Sequence, residues 1–194
     1  SDALKPLTGK RLSDVAAMRG TPVEDTILDL LIEDDSRIDA IYFAMSEDNV
    51  KKALALPWMS ICTDSPAIAA EGLFLNSMTH PRTYGSFARL LGKYVREEKV
   101  ITLQEAVRRM TSLPASNLRI DRRGQIAEGY YADIAIFDPN TITDNATFAK
   151  PHQYATGMHH VFVNGELVLR DGEPTGALPG RAVRGPGWEG AAIQ

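Results

Sequence analysis

Apolar and polar positions alternate with two different periods along this chain, and the change of period divides it into predicted elements. A helix begins near residue 21, where apolar residues recur on one face at Val23, Ile27, Leu30 and Leu31. Thr21, Pro22 and Glu24 predict a capping box at its start, with the proline in the first turn. We therefore expect a helix here with one buried face.

Two short apolar runs follow: residues 38–43 are predicted to be a strand or an extended segment, and residues 58–63 a buried strand. Between them Ser46 is predicted to cap a helix over residues 47–56. A strand–helix–strand order is typical of a parallel sheet. The following loop, residues 65–83, exceeds the roughly 12–15 residues beyond which unstructured loops are usually functional or disordered.

The second half of the chain changes from helical to alternating patterns. Helices are predicted over residues 84–98 and again after Thr102, which forms a capping box with Glu105. Beyond residue 118 the pattern predicts a strand at residues 131–137. Two alternating runs then flank Asn164-Gly165, the strongest short-range signal of a β-hairpin. We expect a small β region after the α/β part.

The composition excludes some classes of protein but does not indicate a function. The 194 residues are 44% hydrophobic and 24% charged, with net charge −4, as in soluble globular proteins. This mild acidity argues against a nucleic-acid or anionic-membrane partner, and no apolar stretch approaches the roughly 20 residues of a membrane span. The start of the chain lacks a signal-peptide core. The single cysteine, Cys62, excludes an intramolecular disulfide, and we expect a reducing, cytoplasmic location.

Asp64 is the foremost candidate for chemistry. It ends the second predicted strand and precedes the long loop, and many α/β barrels present a catalytic carboxylate in this way. Sixteen residues later comes the polar run His80-Pro81-Arg82-Thr83-Tyr84-Gly85. Asp64 could instead be a solvated turn residue or a cap. Arg82 could be a surface residue, or a structural partner of Asp64 or Glu71.

Several runs, in this order and over nearly the whole chain, resemble the amidohydrolase superfamily and within it the D-aminoacylases. They are Ile41-Tyr42-Phe43-Ala44-Met45-Ser46-Glu47-Asp48, Cys62-Thr63-Asp64-Ser65, His80 to Phe87, Glu105 to Ala115, Gly124-Gln125-Ile126, Gly129, Ala132 to Pro139 and Val163-Asn164-Gly165. The runs up to Ala115 are the more specific to the deacylases. The later ones recur across the superfamily.

The resemblance implies an α/β fold: the C-terminal part of a (β/α)8 TIM-like barrel plus a segment of a small β-sandwich. Residues 1–42 would be a helical, lid-like insertion. Residues 43–120 would be the C-terminal part of the barrel, with Asp64 at the end of its eighth strand. Residues 121–194 would be the C-terminal share of the sandwich and a tail.

The resemblance also implies a zinc-dependent hydrolase that cleaves the amide of an N-acyl-D-amino acid. Asp64 would take a proton from metal-bound water and later deliver it to the leaving nitrogen, and it could also be a weak metal ligand. Arg82 would bind the substrate α-carboxylate, because a guanidinium group pairs with a carboxylate through two hydrogen bonds. His80 and Tyr84 would shape the same substrate-binding pocket.

Two departures from the family pattern matter. Many relatives have glycine after the catalytic aspartate, whereas this chain has Ser65. The family's main metal ligands, a His-x-His pair, a Cys and further His residues, lie upstream of every matched run. The chain contains no His-x-His, and the adjacent His159 and His160 would point to opposite faces of a strand. We therefore interpret the chain as the C-terminal portion of a longer deacylase, inactive and without zinc when alone.

Other interpretations stay open. The chain could be a non-catalytic stand-alone fragment, or part of a dihydroorotase- or hydantoinase-like cyclic amidase, although the His-Pro-Arg-x-Tyr-Gly run favours the acyclic deacylases. The expected partner is the missing N-terminal half of the barrel. A barrel lacking most of its strands exposes sheet edges, so we expect self-association of the isolated chain. Cys62 is expected to be a buried small hydrophobe, and His152, His159 and His160 to be structural.

Overall fold

The computed structural model describes residues 1–35, 38–76 and 78–189. The chain divides into two compact units, Ser1–Ala44 and Met45–Gln194. Within the described ranges, every helix is too short or too polar to cross a bilayer.

The first unit is helical. A 3₁₀ turn, Lys5–Leu7, precedes α1 (Leu12–Arg19) and α2 (Val23–Asp34). The predicted capping box at Thr21 is wrong, because Pro22 occupies the N-cap and no side chain caps the helix. The Thr26 hydroxyl instead donates to the Pro22 carbonyl at 2.8 Å and lies 2.7 Å from the Thr21 hydroxyl.

The predicted buried face of α2 is largely exposed, which corrects the expectation from its helical repeat. Val23, Ile27 and Leu31 are 38%, 41% and 45% exposed, whereas Thr26 is fully buried. In α1, the buried side chains are those of Val15 and Ala16. A periodic pattern identifies a face that can be buried, but a two-helix unit offers only a narrow stripe to cover it.

The helices of the second unit begin largely where local signals predict them. They are α3 (Glu47–Leu54), α4 (Arg82–Arg89), which continues as a π-helical segment (Leu90–Glu97), α5 (Leu103–Met110) and α6 (Ser112–Asn117). The predicted caps are confirmed at both sites. Ser46 Oγ accepts from the Asn49 amide, and Thr102 Oγ1 accepts from the Glu105 amide, each at 3.3 Å. A 3₁₀ turn, Gly72–Asn76, interrupts the loop before α4.

Neither predicted strand in the first half of the chain forms. Residues 38–43 and 58–63 are irregular, and the Ile61 amide donates a hydrogen bond to the Arg109 carbonyl at 3.3 Å instead. A parallel strand requires neighbours joined through long crossover connections, and an apolar run cannot form a sheet alone. Cys62 is accordingly exposed rather than buried on a strand, which corrects its expected role.

The predicted hairpin is confirmed, and it belongs to a four-stranded antiparallel sheet in the order β1-β2-β3-β4. The strands are β1 (Ile134–Phe137), β2 (Met158–Val163), β3 (Glu166–Arg170) and β4 (Glu173–Pro174). Asn164 and Gly165 have φ values of 50° and 84°. These left-handed conformations match the type I′ turn that the Asn-Gly pair predicts.

One core joins the helices of the second unit to the connection between β1 and β2. Its buried members are Leu54, Ala88, Leu90, Leu91, Tyr94, Ala106 and Ile142. Ile142, the contribution of the β1–β2 connection, is 1% exposed. The helix that starts at Arg82 is therefore held in place by the part of the chain that precedes β2.

Candidate active site

Asp64 lies at a sharp turn, as its position before the loop predicts. Its φ of 49° is left-handed, a conformation that aspartate tolerates better than most residues. The following Ser65 donates from its hydroxyl to Thr83 Oγ1 at 2.8 Å, and Thr83 also lies 2.8 Å from Thr79 Oγ1. Ser65, at a position where the resemblance predicts glycine, thus ties the two ends of the loop together.

The structure brings Asp64 and Arg82 together. Arg82 Nη1 lies 3.0 Å from Asp64 Oδ2, and the two side chains are 46% and 81% exposed. The structural pairing that the sequence left open for Arg82 is therefore with Asp64. An exposed pair of this kind contributes only about 0–1 kcal/mol to stability, so it does little to hold the fold. Both groups remain accessible to a small molecule.

His80 fixes the start of α4. Its Nδ1 accepts a hydrogen bond from the Arg82 backbone amide at 3.0 Å, and its ring meets Phe148 edge-on at 5.1 Å between centroids. Burial, with the nearby Arg82 charge, lowers the pKa of His80 below its usual value. The neutral imidazole is the form that can accept this bond, because both nitrogens of the cation are donors.

Tyr84 packs against a distant part of the sequence. Its ring meets Tyr154 edge-on at 5.5 Å and lies 6.1 Å from the His152 ring. Burial, and secondarily Tyr154, raises the pKa of Tyr84. Its hydroxyl and His152 Nε2 are buried without a hydrogen-bond partner among the described residues. Sequence reasoning missed this aromatic group, because no local pattern connects residues so far apart.

A second polar cluster anchors the backbone that leads to Asp64. The buried Arg109 side chain donates to Glu105 Oε1 at 2.8 Å and to the Leu54 carbonyl. Arg108 donates to Glu105 and, at 2.6 Å, to the Pro57 carbonyl. Hydrogen bonds from Arg108 and then Arg109 lower the pKa of Glu105 to about 2. The sequence predicted Glu105 only as a capping residue, so this anchoring role was also missed.

The described residues alone do not form a metal site. Asp64 offers carboxylate oxygens, but no group of three or more His, Cys, Asp or Glu side chains in the described ranges is placed to hold a metal ion. A catalytic zinc ion takes about three protein ligands. The described residues therefore supply too few donors to hold zinc by themselves.

Comparisons with known proteins agree with the resemblance seen in the motifs. A sequence model described as "Amidohydrolase family" matches residues 6–169. The D-aminoacylase of Alcaligenes xylosoxydans xylosoxydans is 39% identical over 178 residues, which cover 91% of this chain and 34% of that protein. The chain thus spans about a third of the length of this curated relative.

Solved structures show the same likeness. A crystal structure of D-aminoacylase, 38% identical, superposes with a TM-score of 0.77 over 91% of this chain and 35% of that one. The N-acyl-D-glutamate deacylase of Bordetella bronchiseptica, solved with zinc and a phosphonate mimic of the tetrahedral intermediate, is 38% identical. It superposes with a TM-score of 0.73 over 88% of this chain and 34% of that one. The chain therefore belongs to the amidohydrolase family.

Proposed function

We propose that this chain is one portion of a metal-dependent hydrolase that converts N-acyl-D-amino acids to a carboxylate and a free D-amino acid. The observation that supports this most is the 3.0 Å approach of Asp64 and Arg82 in a chain that aligns with a D-aminoacylase over 91% of its residues. In this proposal residues 43–120 supply barrel elements, residues 121–194 supply sandwich elements, and residues 1–42 are an insertion.

The substrate's own geometry explains why these two side chains belong side by side. The amide nitrogen and the α-carboxylate of an N-acyl amino acid are attached to the same Cα atom. A group that protonates the nitrogen and a group that binds the carboxylate must then be neighbours. Asp64 would act on the nitrogen and Arg82 would bind the carboxylate.

Asp64 has the chemistry that amide cleavage requires. An amine leaves the tetrahedral intermediate only after its nitrogen is protonated, and a carboxylate that has taken a proton can deliver it there. The exposed carboxyl group of Asp64 can approach a bound substrate. We propose Asp64 as the general base and acid.

Arg82 can bind substrate while it stays near Asp64. A guanidinium group carries five N–H donors, so two can pair with a substrate carboxylate while another faces Asp64. His80 fixes the first turn of α4 through the Arg82 amide, and Tyr84 of the same helix packs against Tyr154. We propose that His80 and Tyr84 shape the pocket through this support of Arg82.

Zinc remains part of the proposal for the complete enzyme. When bound, zinc supplies an activated water as the nucleophile. Its main ligands would come from the remaining part of the barrel, with Asp64 as an additional weak ligand. That remaining part is the partner we propose, and the isolated chain is expected to be inactive.

A substrate panel on the complete protein that carries this chain, loaded with zinc, tests the proposal. We expect hydrolysis of N-acetyl-D-amino acids, with their L-enantiomers turned over far more slowly. The panel also includes dihydroorotate and hydantoin, because a cyclic amidase would prefer them. Preference for the cyclic amides, or no hydrolysis of any N-acyl-D-amino acid, would contradict the proposed function.

A further inference from the structure

The connection between β1 and β2, residues 138–157, packs along the helix that carries Arg82. At Gly85 a Cβ atom would lie 1.9 Å from Asp144 Oδ1, and at Gly92 it would lie 2.8 Å from the Ile142 carbonyl oxygen. The two glycines are seven residues apart, about two helical turns, so they share one face. Their missing side chains allow the connection to pass directly against α4 and the π-helical segment.

Further along, the same connection reaches the loop that follows Asp64. The Tyr154 hydroxyl accepts a hydrogen bond from the Ala70 amide at 2.8 Å, and its ring meets Tyr84 edge-on. Ala70 lies in the first part of the loop after Asp64, whereas Tyr84 lies two residues beyond Arg82. Tyr154 therefore contacts both the loop after Asp64 and the first turn of α4.

Neighbouring residues hold Tyr154 in this place. Its backbone carbonyl accepts a hydrogen bond from Asn145 Nδ2 at 2.9 Å. Gln153 Nε2 donates to the Asn145 carbonyl at 2.7 Å, which closes the connection on itself. Since Asn145 follows Asp144, the contact with α4 and the contact with the loop are parts of one braced segment.

We propose that Tyr154 is a positioning residue for Arg82. This inference rests on the proposed function. It holds Ala70 by a hydrogen bond and Tyr84 by ring packing, and so it sets the distance between the loop and the start of α4. In the sequence, Arg82 lies between these two contacts. Without Tyr154, the guanidinium group would be displaced from the position in which it binds the substrate α-carboxylate.

Kinetics of the complete zinc-loaded protein test this inference. Tyr154→Ala is expected to raise KM about tenfold for an N-acyl-D-amino acid, roughly the loss of one charge-assisted hydrogen bond, and to affect the matching amino amide much less. Combined with Arg82→Ala, it should add little further loss of acid-over-amide preference, because both changes remove one interaction. If Tyr154 had a purely structural role, Tyr154→Ala would lower kcat/KM equally for the acid and the amide. That result would overturn the inference, while the proposed function would stand.

Hydrogen exchange gives a readout that does not depend on activity. Tyr154→Phe keeps the ring and removes the hydrogen-bond acceptor, so the Ala70 amide should exchange about fivefold faster. This factor corresponds to the loss of one hydrogen bond of roughly 1 kcal/mol. Tyr131→Phe is the matched control, since the Tyr131 hydroxyl accepts from Arg122 at 3.4 Å in another part of the same unit. Unchanged exchange at Ala70 in Tyr154→Phe would overturn the inference, even if the protein hydrolysed no N-acyl-D-amino acid.

Discussion

The sheet β1–β4 and the site segment, residues 58–84, differ in what completes them. The sheet pairs its strands with one another, and its central hairpin turns on Asn164 and Gly165. The site segment contains the predicted strand at 58–63, yet the backbone of residues 58–63 is irregular and the Asp64 carboxylate is 81% exposed. An antiparallel hairpin closes within one short stretch of chain, whereas a parallel strand depends on strands far away in sequence.

The difference separates stability from function in this chain. Changes in the sheet should alter folding, because its hydrogen bonds are made within the chain. Changes at Asp64 and Arg82 should alter binding and chemistry, because an exposed ion pair contributes little to stability. Substitutions on either side of this division, or at the contact between the two regions, should therefore have different effects.

After Asp64 itself, the largest effect is expected at Arg82. In the complete protein, Arg82→Ala should lower kcat/KM for N-acyl-D-amino acids about 100-fold, in line with the loss of a charged hydrogen-bonded pair. The matching amino amides, which lack the carboxylate, should lose far less. Arg122→Ala is the matched control, since Arg122 is 53% exposed and lies 3.0 Å from an exposed aspartate, Asp121. Equal losses for acids and amides would remove Arg82 from carboxylate binding.

Gly85 lies where the two regions meet, so its substitution should affect both. Gly85→Ala places a methyl group against the Asp144 carboxylate, which is 7% exposed and accepts from the Ala146 amide. We expect a loss of about 1–3 kcal/mol in the free energy of unfolding, measured by denaturant titration. Gly180→Ala, with open space around the added atom, should be neutral. Full stability in Gly85→Ala would contradict the close packing.

Gly165 tests the sheet by itself. Gly165→Ala forces an L-residue to a φ of 84°, at a cost of about 1–2 kcal/mol in the free energy of unfolding. The kcat and KM of the folded protein should stay unchanged, because the turn lies outside the contacts of the site segment. A selective rise in KM for the acid substrate would show that the division between the regions is wrong.

The smallest effect is a dependence on pH through Glu105. Its pKa is lowered from 4.5 to about 2, so the folded state binds fewer protons than the unfolded one. The stability it contributes is complete above pH 4.5 and is lost as pH falls towards about 2. Unfolding curves of Glu105→Gln should therefore vary less with pH in this window. Glu97→Gln, which removes the partner of Arg96, should keep the dependence seen in the unmodified protein.

Local signals predicted the elements that local interactions form. Ser46 and Thr102 cap helices because the bond is made three residues away, and Asn164-Gly165 turns the hairpin because its backbone conformations suit that pair. The prediction of a strand at residues 58–63 was wrong. An apolar run indicates a tendency to be buried, but it does not supply the neighbouring strand that a sheet requires.

The candidate site was predicted in part. The order of the motifs placed Asp64 and Arg82 in one site, and pairing between them was among the alternatives. The contact of Tyr154 with Ala70, 84 residues apart, could not be predicted, because it depends on how the β1–β2 connection crosses α4. Long-range packing of this kind leaves no periodic mark in the sequence.

The central claim is that the carboxyl group of Asp64 performs the proton transfers of amide hydrolysis. The direct test is kcat of Asp64→Asn in the complete zinc-loaded protein. Asp121→Asn is the matched control, because Asp121 is 82% exposed and also lies 3.0 Å from an arginine, Arg122. We predict that Asp64→Asn lowers kcat by about 10²–10⁴-fold while Asp121→Asn leaves it unchanged. Hydrolysis by Asp64→Asn at the rate of the unmodified protein would contradict the account.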